Sequence, residues 1–305
     1  MAIPTSRTKE KATITIDSTR CTGCALCVEV CKDFSIKIID GKASESDTPA
    51  FGCIACGHCM AICPSGAIQI TGRFLSPDDL FNIPDVSKTS DYTSLLNLYY
   101  RRRSIREFKE KEVEKELIDK VIEAAKSAPM GLPPSDVHVL VLDSKEKVLT
   151  FSKDYCDHLE SIKWLTSNWF LAIMRPFWGK SNDEMFRKFL KPCIELFTSH
   201  MKKGENYVTY DAPVALYFYG SPYTDPADPI IAATYAMIAA ESLGLGSCML
   251  GAIHLFIQNG RSAIKFRKKY RIRFKSKEGL VLILGYPKIK YKKSIKRSFA
   301  SVDYL

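Results

Sequence analysis

The sequence lacks an uninterrupted apolar run that would cross a membrane. Residues 1–20 are polar, so we expect no secretory signal. Residues 230–257 carry few charges, but Glu241 lies near their centre and Gly244 and Gly246 interrupt them. Because a charge at that depth in lipid is costly, we interpret this stretch as a buried helix followed by a loop. We therefore expect a cytoplasmic protein with no membrane partner.

Cysteines are scarce outside one short region of the chain. Of the 11 cysteines, all but Cys156, Cys193 and Cys248 lie within residues 21–63. A cytoplasmic chain keeps its thiols reduced, and a tight cysteine cluster in such a chain usually binds metal. We therefore expect a metal-binding region at 21–63 and interpret the three scattered cysteines as buried thiols.

Acidic residues are nearly absent from residues 261–297, where 15 Lys and Arg accompany only Glu278. The whole chain has 44 basic and 34 acidic residues, a net charge of +10. Such a segment suits nucleic acid or an anionic ligand. The alternation in residues 270–275 is equally typical of a half-exposed strand. We expect no nucleic-acid partner and interpret the basic residues as a site for a phosphate group or an acidic partner.

The length of 305 residues and the 46% hydrophobic content predict a globular protein of about two domains. Residues 1–75 form a cysteine-rich domain. Residues 76–92 contain prolines with several Asp and Ser, which is typical of a linker. Residues 93–305 form the second domain.

The apolar patterns of the second domain mix helices and strands without a regular βαβ rhythm, which predicts an α+β fold. The predicted helices cover 113–127 and 230–243, and the predicted buried strands cover 137–142, 214–219 and 280–284.

Residues 155–210 are unusually aromatic. They contain all three tryptophans together with several phenylalanines: Trp164, Trp169, Trp178, Phe170, Phe177 and Phe197. These rings are expected to form either the core of a helical subdomain or a lid over a flat aromatic ligand, and the sequence leaves both interpretations open.

The cysteine-rich domain contains an internal repeat. Cys21-x2-Cys24-x2-Cys27 recurs 32 residues later as Cys53-x2-Cys56-x2-Cys59, and each copy is followed by a fourth cysteine, Cys31 or Cys63. Each [4Fe–4S] cluster needs four thiolates. Zinc also binds four cysteines but favours two separated C-x2-C pairs, so the triplets favour two iron–sulfur clusters.

Residues 14–72 resemble a bacterial two-cluster ferredoxin, including the proline that follows Cys63. In that family the fourth cysteine of each run binds the other cluster. The resemblance implies two ligand sets: Cys21, Cys24, Cys27 and Cys63 for one cluster, and Cys53, Cys56, Cys59 and Cys31 for the other.

Each of four segments in the second domain is a weak motif by itself, but the four together, in their order along the chain, are informative. They are Arg101–Arg106, residues 124–131, the glycine-rich turn expected within 239–251, and residues 282–287 with the basic residues that follow. Together they resemble the FMN-dependent nitroreductase family over about 95–305. The resemblance implies an α+β fold with a central, mainly antiparallel sheet. It also implies a homodimer with FMN at the subunit interface.

The resemblance assigns cofactor-binding residues at matching positions and no catalytic side chain, because the flavin carries the chemistry. Expected to contact the phosphate or ribityl chain are Arg102, Arg103, Ser104, Arg106, Lys296 and Arg297. Expected beside the flavin ring are Pro129, Met130, Gly131, Ser135, Leu250 and Gly251. This sequence departs from the family's usual pattern in the loop 132–136 and at Leu250, which is often acidic in relatives.

These features predict an oxidoreductase. A low-potential donor, another ferredoxin or a redox enzyme, would pass electrons through the two clusters to FMN. The acceptor would be a small organic molecule such as a nitroaromatic, a quinone or an activated double bond. The alternative is an electron-transfer adaptor that delivers electrons to a protein partner and has no small-molecule substrate of its own.

Overall fold

The computed structural model describes residues 11–131 and 136–305. The chain divides into two compact units. The described part of the first unit comprises residues 11–89, 129–131, 136–137 and 222–228. The second unit comprises Ser90–Ala128, His138–Ser221 and Pro229–Leu305.

The first unit is built from two antiparallel strand pairs and two short helices. Strand β1 (Thr13–Ile16) pairs with β4 (Ile68–Thr71), and β2 (Ile36–Ile39) pairs with β3 (Lys42–Glu45). Helices α1 (Leu26–Val30) and α2 (His58–Ile62) each begin within a cysteine run. The core consists largely of small side chains and cysteines, with a few larger apolar residues such as Ile70. A domain with so little apolar bulk has a small core of its own.

The second unit is organised around a four-stranded sheet with the order β5-β6-β8-β7. The strands are β5 (Val137–Leu142), β6 (Val214–Gly220), β7 (Gly246–Leu250) and β8 (Gly279–Gly285). Strand β8 pairs antiparallel with both β6 and β7. Because β6 and β8 are buried along their whole length, they read as continuous apolar runs. The α+β fold with a mainly antiparallel sheet is confirmed.

Helices surround this sheet. They are α3 (Tyr92–Arg101), α4 (Lys115–Lys126), α5 (Lys145–Ile162), α6 (Asn168–Met185), α7 (Lys191–Lys202), α8 (Asp228–Ser242), α9 (Gly251–Gln258) and α10 (Arg261–Lys269). Helix α4 lies within the helix predicted at 113–127. Its buried residues Ile118, Val121 and Ala125 recur at the spacing that places them on one face of a helix. In the described part of the chain, none of the helices is both long and apolar enough to cross a membrane.

Two stretches differ from their predictions. The glycine-rich turn expected after α8 is present at residues 243–244, where Gly244 has φ 77°. It is shorter than expected, because Gly246–Leu250 forms the edge strand β7, held by its pairing with β8. The alternating residues 270–275 do not form a strand. They close α10 instead, with Arg271 in the left-handed region at φ 53° and the Ile272 amide donating to the Arg267 carbonyl at 2.9 Å.

The aromatic segment 155–210 is core only in part. Tyr155 and Leu159 of α5 and Ile194 of α7 are buried in the main core. In contrast, Trp169 is 60% exposed and Phe177 is 80% exposed. The interpretation of these rings as core is therefore wrong for the outer face of α6. Their contact with a ligand stays a prediction.

Gly279 offers a test of this packing. A Cβ at this position would lie 2.6 Å from His254 Nδ1 and 2.7 Å from the Phe218 carbonyl oxygen. We expect Gly279→Ala to destabilise the second unit by about 1–3 kcal/mol, because backbone must move to admit the methyl group. Thermal unfolding measures this loss. Gly251→Ala is the control, since its Cβ meets nothing closer than 3.9 Å; equal losses in the two variants would contradict this account of the packing.

Candidate functional site

The first unit brings together the four cysteines of the first predicted set. Cys21, Cys24, Cys27 and Cys63 line one cavity. Its wall is completed by apolar side chains that include Leu26, Ile38 and Ile68. Cys63 is thus placed with the triplet of the other repeat, as the crossed assignment requires. A cavity lined by four thiols and apolar groups suits a cluster that presents four separate irons.

The second set also lies together. Burial raises the pKa of Cys53 and that of Cys59, the latter to about 12, and the neighbouring thiols of Cys56 and Cys31 raise both further. Buried thiols with other cysteines nearby resist ionisation, so a positively charged group is needed to stabilise them as thiolates. Among residues 11–131 and 136–305, no three His, Cys, Asp or Glu side chains converge on a site for a single metal ion; the two cysteine sets are assigned to four-iron clusters from their spacing.

Hydrogen bonds to sulfur favour the thiolate form in the first set. The Ala43 amide donates to Cys21 Sγ at 3.4 Å, and this bond lowers the pKa of Cys21. The Ala67 amide lies 3.3 Å from Cys63 Sγ, and Ser65 Oγ lies 3.6 Å from the same sulfur. Burial raises the pKa of Cys63, but these two donors bring it below its usual value. Such bonds are one means by which a protein tunes a cluster's potential.

The loop around the first set needs a glycine at one point. Gly23 has φ +73°, and a Cβ there would lie 2.1 Å from the Gly41 carbonyl oxygen. The loop that carries Cys21 and Cys24 therefore packs directly on the β2–β3 turn, which no other residue type permits.

In the second unit, the end of α3 is tied to the C-terminal segment. Arg103 Nη2 donates to Ser294 Oγ at 2.6 Å, and Ser294 Oγ donates to the Tyr100 carbonyl at 3.0 Å. These bonds join residues almost two hundred positions apart. They bring the basic C-terminal segment to the predicted arginine motif.

Three guanidinium groups meet at this junction. Burial lowers the pKa of Arg102, and the neighbouring charges of Arg103 and Arg297 lower it further. Glu241 opposes this effect but forms its own ion pair with Arg101 at 3.5 Å. A half-buried arginine held beside two others is a ready site for an anion, since bidentate guanidinium groups match a phosphate.

The rest of the arginine motif is fixed against the sheet. Ser104 bridges Ser247 of β7 in parallel, and the Ile105 amide donates to the Ser247 carbonyl at 2.9 Å. The Arg106 guanidinium lies 5.5 Å from the centre of the Tyr210 ring, which is within the range of a cation–π contact. The edge strand β7 therefore positions the motif.

Leu250 and Gly251 lie where β7 ends and α9 begins. Leu250 occupies the N-cap position with φ −122°, and no side chain caps the helix. The first amides of α9 lack partners within the helix, and a helix N-terminus favours negative charge or an electron-rich acceptor. This geometry fits the predicted contact with a flavin edge.

The remaining predicted residues belong to the first unit, are exposed or lie outside the described residues. Pro129, Met130 and Gly131 belong to the first unit, where the Gly131 amide donates to Asp228 Oδ1 at 2.9 Å. Lys296 is exposed. Ser135 lies outside the described residues. The flavin contacts of all five stay predictions.

Sequence reasoning missed Ser294, Tyr100 and Tyr210, which position the arginines. A single sequence holds no signal for such pairings, because Ser294 is one polar residue in an exposed tail.

The scattered cysteines behave as predicted in that Cys156 and Cys248 are buried, whereas Cys193 is half-buried.

Comparison with protein-family models places both parts of the chain. Residues 99–286 match the model of the nitroreductase family, and residues 13–69 match that of the 4Fe-4S dicluster domain. The first match covers more than half of the chain. The chain belongs to the nitroreductase family. It is an oxidoreductase of that family with a ferredoxin-type dicluster domain fused at its N-terminal side. Among curated proteins, none matches the chain.

Solved structures show similarity over about two thirds of the chain. A nitroreductase with bound FMN from Desulfitobacterium hafniense DCB-2 is 21% identical, with a TM-score of 0.48, and the match covers 69% of this chain and 97% of that one. An FMN-dependent nitroreductase from Clostridium difficile R20291 is 23% identical, with a TM-score of 0.43 and coverage of 68% and 99%. A nitroreductase with bound FMN from Bacteroides fragilis NCTC 9343 is 18% identical, with a TM-score of 0.47 and coverage of 69% and 98%.

The guanidinium junction predicts stabilisation by a simple anion. In protein freed of cofactor, inorganic phosphate at ten times its dissociation constant should stabilise the second unit by about 1.4 kcal/mol. Thermal unfolding in phosphate and in chloride of equal ionic strength separates binding from screening. Arg102→Gln should abolish the phosphate effect and raise stability without phosphate, because it removes the repulsion. Lys109→Gln is the control, and an equal loss of the phosphate effect there would argue against a specific site.

Proposed function

We propose that this protein is a ferredoxin-fused flavin oxidoreductase. It passes electrons from a low-potential donor through two [4Fe–4S] clusters to FMN, and on to a small organic acceptor such as a nitroaromatic, a quinone or an activated double bond. The observation that carries the proposal is the half-buried Arg102 under the charges of Arg103 and Arg297. The uncapped N-terminus of α9 in the same unit supports it.

Flavin binding would draw on two kinds of group in the second unit: the guanidinium groups and the first amides of α9. Arg102, Arg103 and Arg297 would neutralise the phosphate of FMN, and burial of Arg102 strengthens that attraction. Ser294 holds Arg103 in place. The first amides of α9, at Gly251, would donate to the flavin edge. The FMN named for the solved family members supports this assignment.

Cluster binding draws on the two cysteine sets. Cys21, Cys24, Cys27 and Cys63 surround the cavity of the first unit, and the second set shares the same local pattern. The Ala43, Ser65 and Ala67 donors would stabilise the electron-rich sulfurs. When bound, the clusters and the flavin would supply one-electron and two-electron transfer, respectively.

The exposed C-terminal segment supports a homodimer. After Gly285 the segment forms no helix or strand, and it presents several apolar side chains to solvent: Ile289, Tyr291, Ile295, Phe299, Val302 and Tyr304. A run of exposed apolar side chains marks a surface that another chain covers, and closed two-fold dimers are the commonest assemblies. We place the dimer in the cytoplasm, with another ferredoxin or a redox enzyme as donor.

Cofactor content is the first test. Anaerobically purified protein should contain about eight iron, eight sulfide and one FMN per chain. Iron without flavin would refute the flavin assignment while leaving the dicluster domain intact. Flavin without iron would refute the cluster assignment alone.

Single cysteine variants test the crossed ligand sets. Cys63→Ser and Cys31→Ser should each lower the iron content to about four per chain, because each removes one ligand of a different cluster. Iron analysis with electron paramagnetic resonance of the reduced protein would show which cluster remains. Cys193→Ser, a half-buried cysteine on α7, should retain full content. Full iron in Cys63→Ser would exclude this residue as a ligand.

Turnover separates the enzyme from the adaptor. Dithionite-reduced protein should reduce members of a panel of nitroaromatics, quinones and activated double bonds, with flavin reoxidation followed by absorbance. Arg102→Gln, which weakens FMN binding, should lose this activity and regain part of it in excess FMN. Reduced protein that reduces none of these acceptors would favour the adaptor, to which the exposed rings of Trp169 and Phe177 offer a contact surface.

A further inference from the structure

Residues 261–277 form a basic surface that the proposed cofactor sites do not use. This surface, here called the α10 surface, consists of helix α10 and the segment that follows it. It holds nine Lys and Arg and no acidic residue. Two of the nine have structural roles, since Arg267 Nη1 donates to the Ile257 and Gln258 carbonyls at 2.7 and 2.9 Å and Lys269 pairs with Asp154 at 2.5 Å.

The other seven basic side chains are exposed. They are Arg261, Lys265, Lys268, Arg271, Arg273, Lys275 and Lys277. Across the described ranges of the chain, none of these seven forms an ion pair with a carboxylate. Their like charges raise the local potential, and a partner of opposite charge would be attracted to it.

Folding does not account for this charge. Arg261 is the first residue of α10, where a cation opposes the helix dipole, and no acidic residue or side-chain cap offsets it there. Arg271 ends the helix in the left-handed region at φ 53°, a position that favours glycine. At both positions the charge is kept at some expense to local stability.

Apolar side chains lie within the α10 surface. Ile264 is 57% exposed and sits one helical turn from Arg261 and Lys268. Phe274, between Arg273 and Lys275, is 36% exposed. Protein interfaces combine apolar contacts with a charged rim, whereas phosphate contacts dominate binding to nucleic acid. The pattern favours an acidic protein.

From this surface we infer that α10 and residues 270–277 dock an acidic one-electron carrier protein. The inference rests on the proposed function, which requires such a donor. In the docked complex the reduced carrier loses one electron and the protein's bound redox cofactors gain it, with no bond or proton transferred. Charge attraction accelerates such encounters strongly at low salt.

The test uses the full protein with its cofactors and an acidic plant-type [2Fe–2S] ferredoxin. We expect the second-order rate constant for reduction by this ferredoxin to fall with ionic strength. Lys265→Glu with Lys268→Glu should lower it about tenfold or more at low salt. The control is Lys109→Glu with Lys203→Glu, two exposed lysines elsewhere with the same change of charge, and it should stay within about twofold. Equal losses in both pairs would overturn the inference.

Arg271→Gly separates docking from folding. Glycine relieves the left-handed backbone at this position, so the thermal midpoint should stay the same or rise while the rate constant with ferredoxin falls. An unchanged rate constant at low salt would count against a role for this arginine and for the surface around it.

Binding of the oxidised ferredoxin, measured by calorimetry, needs no electron flow. Normal binding without electron transfer would therefore count against the proposed function alone. Binding that the α10 variants leave intact would count against the docking surface alone. Retained ferredoxin binding, together with loss of binding to a short DNA duplex or to phosphatidylglycerol vesicles in these variants, would overturn the inference in favour of a nucleic-acid or membrane surface.

Discussion

Repulsion between like groups is the constraint on which both candidate sites depend. In the first unit, burial raises the pKa of Cys59, and the neighbouring cysteines raise it further, because adjacent thiolates would repel one another. In the second, Arg103 and Arg297 act on the half-buried Arg102. Folding brings these groups together at a cost that a bound group of opposite charge offsets. Positively charged iron suits the thiolates, and a phosphate suits the guanidinium groups.

Features indicated by neighbouring residues, or by a family resemblance built on their spacing, could be predicted. Pairings between distant residues could not. The resemblance to two-cluster ferredoxins, recognised from the cysteine repeat, predicts the grouping of Cys63 with Cys21. Continuous apolar runs predict β6 and β8, because that pattern is carried by neighbouring residues. The junction at Arg103 could not be found, since it depends on Ser294, far along the chain in an exposed segment. Long-range pairing of single polar residues leaves no periodic signal in one sequence.

The two departures from prediction share one physical cause, which is that tertiary contacts override the local sequence pattern. Gly244 does form a turn, at φ 77°, but pairing with β8 makes Gly246–Leu250 a strand. A Cβ at Gly246 would lie 2.7 Å from Ile105 Cγ1, so this glycine serves close packing. In residues 270–275, alternation suggests a strand, but the Ile272 amide closes α10 by donating to the Arg267 carbonyl. Ile272 is buried in this helix-closing turn without pairing to a neighbouring strand.

The basic residues of 261–297 thus divide by role along the chain. The charge of Arg297 lowers the pKa of Arg102, so we assign the distal part of the segment to the proposed anion site. Residues such as Lys265 and Arg271 point their charge to solvent, where a small ligand would gain little from it because water screens single exposed contacts. Many weak exposed charges acting together favour a large partner, since each contributes to the field that orients an encounter. In our proposals, the same composition would serve cofactor binding at one end of the segment and recognition of a protein at the other.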